Sequence, residues 1–252
     1  MTVRTKEAPG SGSASGTALL RLTDVSRSYG DRQVLREVTL AVAPGECVVL
    51  MGDNGSGKST LLRLASGRER PTSGEVLFGG RPIDEDDPVT RARVATAMDP
   101  GAHYPDLTVR EHLMLVALAH RLGEEADEAV DAVLEEHRLS GHADVLPSAL
   151  SSGQTQSLLL AAAFVRPHDL LVLDEPEQRL DGHARQELAR RLAVHRDRGT
   201  AILVATHHEV LAAVADRVLR LDGGSPVAAE SPIGVEPAVA APVDRPAGTC
   251  GS

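Results

Sequence analysis

The chain has 252 residues, 42% hydrophobic and 25% charged, with 23 glycines besides; it falls among folded globular proteins and is no collagenous, coiled-coil or disulfide-stapled molecule. Its 36 acidic and 26 basic residues leave a net charge of -10, the wrong sign for neutralising nucleic-acid phosphates or an anionic membrane surface, so no direct nucleic-acid binding is expected. The longest apolar run, Leu158 to Val165, is far shorter than the roughly 20 residues of a bilayer span, the N-terminus lacks the apolar stretch of a signal peptide, and Cys47 and Cys250 are the sole cysteines; a reducing, cytoplasmic location is expected.

Residues 1–17 read as a flexible leader, since positions 8–17 carry no large apolar side chain, and the fold is expected over residues 18–222. The basic residues are nearly all arginine. Lysine occurs at Lys6 and Lys58 alone, and Lys58 sits in a glycine-rich stretch, a position where the compact ammonium does what a planar guanidinium fork cannot.

Apolar runs at Cys47 to Met51, Leu170 to Leu173 and Ala201 to Ala205 read as buried strands, and the segments between them carry helical spacing. That alternation predicts an α/β fold with a mostly parallel sheet covered on both faces. Residues 108 to 122 predict an amphipathic helix with a Thr108/Glu111 capping box and a face of Val109, Leu113, Val116, Ala117 and His120. An acid-rich helix from Glu124 to His137 follows, its charge read as a solvated face. Together they predict a helical subdomain inserted at about residues 100–165. From residue 223 to 252, Pro226, Pro232, Pro237, Pro242 and Pro246 recur in an Ala/Val/Gly background, and a disordered tail is expected.

Gly52-Asp53-Asn54-Gly55-Ser56-Gly57-Lys58-Ser59-Thr60 fits G-x-x-x-x-G-K-[ST], directly after a strand and before the helical pattern Leu61, Leu62, Leu64, Ala65. Such a loop turns its N–H groups and the helix N-terminus onto phosphate oxygens, Lys58 reaches the terminal phosphates, and the Ser59 hydroxyl is a ligand for Mg²⁺. The strand Leu170 to Leu173 ends in Asp174-Glu175, at the sheet end where an α/β fold places ligand chemistry. Asp174 suits the hydrated Mg²⁺, and Glu175 suits the water that attacks the γ-phosphate.

With Leu150-Ser151-Ser152-Gly153-Gln154 about 20 residues before the acidic pair, the chain resembles an ATP-binding-cassette ATPase, the nucleotide-binding subunit of an ABC transporter. The resemblance spans roughly Leu19 to Asp222 and adds Tyr29 as the aromatic that stacks on adenine, Asp181 after the acidic strand, and His207 after the strand Ala201 to Ala205. On the residues alone, Asp181 also reads as a helix cap and His207 as a surface residue. The resemblance implies a P-loop NTPase core with an N-terminal antiparallel β portion and an inserted helical subdomain. It implies ATP and Mg²⁺ as cofactors, with Glu175 on the attacking water and His207 on the γ-phosphate. Two subunits, alike or different, would pair head to tail so that Ser151, Gly153, Gln154 and the following helix N-terminus of one close over ATP on the other. A separate membrane permease would be the partner, and the compact C-terminal side resembles cassettes that serve export.

Several positions depart from the family's pattern. Asp99 stands where a glutamine near Mg²⁺ is usual, and it is carried over as a metal-site residue. Ser152 replaces a glycine, with strain expected if the site needs positive φ, and Gln178-Arg179 replace small residues before Leu180-Asp181. These departures keep two other readings open: a non-hydrolytic nucleotide-gated half of a heterodimer, and a soluble assembly scaffold.

Overall fold

The computed structural model describes residues 18–99 and 101–230; the leader, Cys250 and residues 231–252 lie outside them. β1 (Leu20–Tyr29) and β2 (Arg32–Val42) pair antiparallel, then β3 (Cys47–Met51) leads through the glycine-rich loop into α1 (Lys58–Ala65). β4 (Ser73–Phe78), β5 (Arg81–Pro82), α2 (Pro88–Arg93) and β6 (Val94–Ala97) follow. Next come α3 (Val109–Ala119), α4 (Ala126–Glu136) and α5 (Ser152–Phe164), and the chain returns through β7 (Leu170–Asp174), α6 (Gly182–Asp197), β8 (Ala201–Ala205), α7 (Glu209–Ala212), β9 (Arg217–Asp222) and β10 (Ser225–Glu230).

The strands form two sheets. One is antiparallel, in the order β2-β1-β4-β5; the other, β10-β9-β3-β8-β7-β6, is parallel except for the β10–β9 edge pair. The α/β architecture read from the sequence, with its antiparallel N-terminal portion, is the one observed.

The apolar runs are continuous because the central strands are covered on both sides. Val48 and Leu50 of β3 join Val172 of β7, Leu203 of β8 and the α1 leucines in a core against the antiparallel sheet. Their neighbours Cys47 and Val49 face the opposite way, with Leu171, Leu173, Ile202 and Val204, onto α5 and α6. Burial pushes the Cys47 thiol up to about 12, so it behaves as a core side chain and not as a nucleophile. α3, α4 and α5 enclose a third core built on Val109, Leu113, Val130, Leu134 and Leu158. Thr108 and Glu111 form the expected capping box at the start of α3. The acidic residues of α4 point to solvent while Ala126, Val130, Val133 and Leu134 are buried.

One boundary differs from the sequence reading. Residues 225–230, expected in a disordered tail, form β10 at the sheet edge, paired with β9 from Ser225 opposite Asp222 to Glu230 opposite Val218. Pro226 lacks an N–H, which forbids a central strand but is tolerated at an edge.

Candidate nucleotide-binding site

Two glycines shape the loop between β3 and α1. Gly52 has φ 148°, and a Cβ there would lie 2.3 Å from the Leu221 carbonyl oxygen and 2.7 Å from Ser56 Oγ. Gly57 is the N-cap of α1 at φ 102°, where a Cβ would meet Leu35 at 2.7 Å. A side chain fits at neither position, so the backbone can coil closely at the helix N-terminus.

Lys58, buried to 6% exposure, curls back over the loop and donates from Nζ to the carbonyls of Gly52 at 2.6 Å and Asp53 at 3.1 Å. Among the described residues, the N-terminus of α1 receives no side-chain cap and the buried Ser56 hydroxyl has no hydrogen-bond partner. Uncapped N–H groups, an unmatched hydroxyl and a lysine held on the loop's own carbonyls suit phosphate oxygens.

The open face of this loop is a cleft of about 460 Å³ lined by Tyr29, Asn54, Gly55, Lys58, Ser59 and Glu175, among others. Gly57, Thr60, Arg32 and Val34 complete that wall. The Tyr29 hydroxyl donates to Glu69, and the Arg27 guanidinium lies 4.6 Å from its ring centroid. The Ser59 hydroxyl is a neighbour of Asp174, whose carboxyl is pushed above its usual range by burial, against the pull of Ser59, Arg63 and Lys58. A hydroxyl beside a part-buried carboxylate is a hard-oxygen pair that fits Mg²⁺.

Glu175 follows Asp174 at the end of β7 with φ 45°, its N–H donating to the Ala205 carbonyl at 2.8 Å. Its Oε1 lies 3.6 Å from Nδ1 of the largely exposed His207, and its Oε2 accepts from Gln178 Nε2. Glu175 and His207 meet because β7 and β8 are adjacent parallel strands, with Asp174 opposite Ala205.

Ser151 caps α5 and forms a capping box with Gln154. Ser152 is the first residue of α5 and is not among the positive-φ positions, so the strain expected there is absent. Ser151, Gly153 and Gln154 line a second pocket of about 400 Å³, with Arg138, Arg179 and Asp181, and this pocket shares no residue with the phosphate cleft. A Cβ on Gly153 would lie 2.9 Å from the Arg179 carbonyl oxygen, so this turn depends on a glycine. Asp181 caps α6, accepting from the Ala184 N–H at 2.7 Å. That backbone bond is also the main reason its carboxyl titrates below the usual range.

Asp99 is not brought to the cleft. Its carboxylate pairs with Arg68, which also reaches the Thr96 hydroxyl at 3.0 Å, and the cleft wall does not include it. The metal role expected for Asp99 has no support from this arrangement: an arginine just beyond α1 holds its charge.

The sequence reading missed three contacts: Gln178 with Glu175 and the Thr206 hydroxyl with Glu177 at the site, and Arg68 with Asp99 away from it. Spacing gave a signal for the Ser151/Gln154 box, an S-x-x-Q pattern, and none for the other three.

A family model described as "ABC transporter" matches residues 35–178. The chain is 38% identical over 213 residues to the lactose transport ATP-binding protein LacK of Rhizobium radiobacter, covering 82% of this chain and 58% of that protein. It is 36% identical over 221 residues to the Nod factor export ATP-binding protein I of Rhizobium meliloti (strain 1021), covering 87% of this chain and 66% of that one. It therefore spans less than two thirds of either relative. A solved dimeric structure of the ATP-binding cassette MJ0796 in a post-hydrolysis state, bound to ADP and Pi, superposes with a TM-score of 0.78 at 26% identity, over 85% of this chain and 99% of that one. The chain belongs to the ABC transporter family.

Proposed function

We propose that the chain binds MgATP in the cleft between Tyr29 and Glu175, pairs around it with a second cassette, and drives a separate membrane permease through hydrolysis. The observation that carries this is the separation of the two pockets. Lys58, Ser59 and Glu175 share one cleft, while Ser151, Gly153 and Gln154 line another with no residue in common, which supports the reading that the second completes a nucleotide site on another subunit.

Within the cleft, Tyr29 supplies an aromatic face for the adenine and the loop from Gly52 to Thr60 encloses the phosphates. Lys58 exchanges its loop carbonyls for terminal phosphate oxygens. Ser59 and Asp174 are the residues that would hold Mg²⁺, which when bound neutralises phosphate charge. Glu175 takes the proton of the attacking water, and His207, beside it, faces the γ-phosphate. Loss of the γ-phosphate removes the bridge between subunits, and the opening passes to the permease. No helix among the described residues is long and apolar enough to cross a membrane, which supports a peripheral place on a permease encoded elsewhere. The relatives named above serve lactose transport and Nod factor export by their names, so the cargo is assigned to the permease.

The test is the oligomeric state of Glu175→Gln with ATP by size exclusion with light scattering. A dimer that disperses when ATP is removed is expected. A monomer at saturating ATP overturns self-pairing and assigns the second subunit to a different chain.

A further inference from the structure

Residues 175–178 form a tight turn. The Gln178 N–H donates to the Glu175 carbonyl at 3.1 Å, and the positive φ of Glu175 folds the chain back on itself. The base of the turn is anchored from behind. Glu177, 3% exposed, accepts from the Thr206 hydroxyl, and Thr206 Oγ1 accepts from the His208 N–H at 2.9 Å. This chain of bonds ties the turn after β7 to the segment after β8 that carries His207.

At the tip of the turn, the two oxygens of Glu175 have different neighbours. Oε2 is held by the Gln178 amide, and Oε1 faces His207 Nδ1 at 3.6 Å. Glu175 makes these contacts while it lines the phosphate cleft with Lys58 and Ser59, so the bond to Gln178 does not withdraw it from the site. A glutamate side chain has several rotamers open to it. A second side chain bonded to one oxygen selects among them.

We infer that Gln178 is a positioning residue for hydrolysis: its amide fixes Oε2 of Glu175 and so presents Oε1, on the His207 side, to the attacking water. The inference rests on the reading of Glu175 as the carboxylate that takes the water's proton. Gln178 itself does not line the phosphate cleft. Its effect is on the orientation of Glu175, and misplacement of a reacting group by about 1 Å can cost on the order of a hundredfold in rate.

The experiment is steady-state ATP hydrolysis and ATP-binding calorimetry on Gln178→Met, Gln178→Glu and Glu175→Gln beside the wild type. Gln178→Met keeps the length of the side chain and removes the donor, and kcat should fall about tenfold with KM and ATP affinity unchanged. Gln178→Glu sets two carboxylates side by side and should be slow at pH 8. Its rate relative to wild type should rise toward pH 6, as the new carboxyl takes up a proton and can donate again. Wild-type kcat in Gln178→Met overturns the inference, as does a kcat loss matched by an equal loss of ATP affinity. If Glu175→Gln itself turns over at the wild-type rate, it is the reading of Glu175 that fails.

Discussion

His207 Nδ1 lies 3.6 Å from Glu175 Oε1, although 32 positions of sequence and a whole helix separate the two residues. Their meeting is a property of the sheet. β7 and β8 run side by side in parallel, Asp174 is paired with Ala205, and the residues just beyond each strand emerge at one end. His207→Ala should therefore lower kcat by about a hundredfold while changing ATP affinity little, because the imidazole belongs to the reacting end of the cleft. Parallel loss of affinity and rate, measured by calorimetry and steady-state hydrolysis, would show a binding role instead.

Lys58→Ala should nearly abolish ATP binding. The lysine lines the cleft beside Ser59 and Thr60, and its Nζ already sits on the loop's carbonyls, poised to exchange them for phosphate oxygens. Calorimetry with ATP checks this, and unchanged affinity would remove the phosphate loop from the account.

Asp99→Ala should leave ATP affinity and the Mg²⁺ dependence of hydrolysis within about twofold of wild type, since a half-exposed surface ion pair contributes little and Asp99 does not line the cleft. The measurement is hydrolysis across a Mg²⁺ series. A large rise in the Mg²⁺ concentration needed would return Asp99 to the metal site.

Several histidines are buried neutral, and they make stability depend on pH. Burial holds His137 down to about 3, helped by Arg191 and His195, and holds His120 and His195 down to about 4. His137, His168 and His195 surround Phe164, with His168 and His195 stacked at 5.3 Å. These folded-state values are depressed, so the unfolded chain binds more protons between the ordinary value of 6.5 and about 4. Stability from these groups is whole above that range and is lost as pH falls through it. The melting temperature should drop from pH 7.5 to pH 5.5, and the drop should be smaller in His137→Leu. An identical drop in that variant would assign the effect to other groups.

What was legible in the sequence follows from local physics. The strands at 47–51, 170–173 and 201–205 showed as apolar runs because both of their faces are covered, and the loop at 52–60 showed because its glycines and lysine are fixed by close backbone packing. The tail boundary was misread at Pro226 because proline's missing N–H excludes a central strand and says nothing against an edge. The condition for strain at Ser152, a positive φ, is not met, because the Ser151 cap lets α5 begin with an ordinary helical residue. Asp99 fell at the right spacing, yet its direction is set by Arg68, 31 positions away, and no local pattern announces such a pairing. The hold of Gln178 on Glu175 was hidden for a related reason: it depends on a positive φ at a glutamate, which residue type does not foretell.

The central claim is that binding and hydrolysis of ATP divide between the phosphate loop and Glu175, and Glu175→Gln separates them. The near-isosteric amide preserves the shape of the cleft and removes the group that takes the proton. Single-turnover hydrolysis of ATP by this variant, at a nucleotide concentration where binding is confirmed to be saturated, is the direct measurement. The account predicts wild-type affinity with hydrolysis slowed by about a hundredfold or more. Hydrolysis at the wild-type rate with nucleotide bound would contradict it.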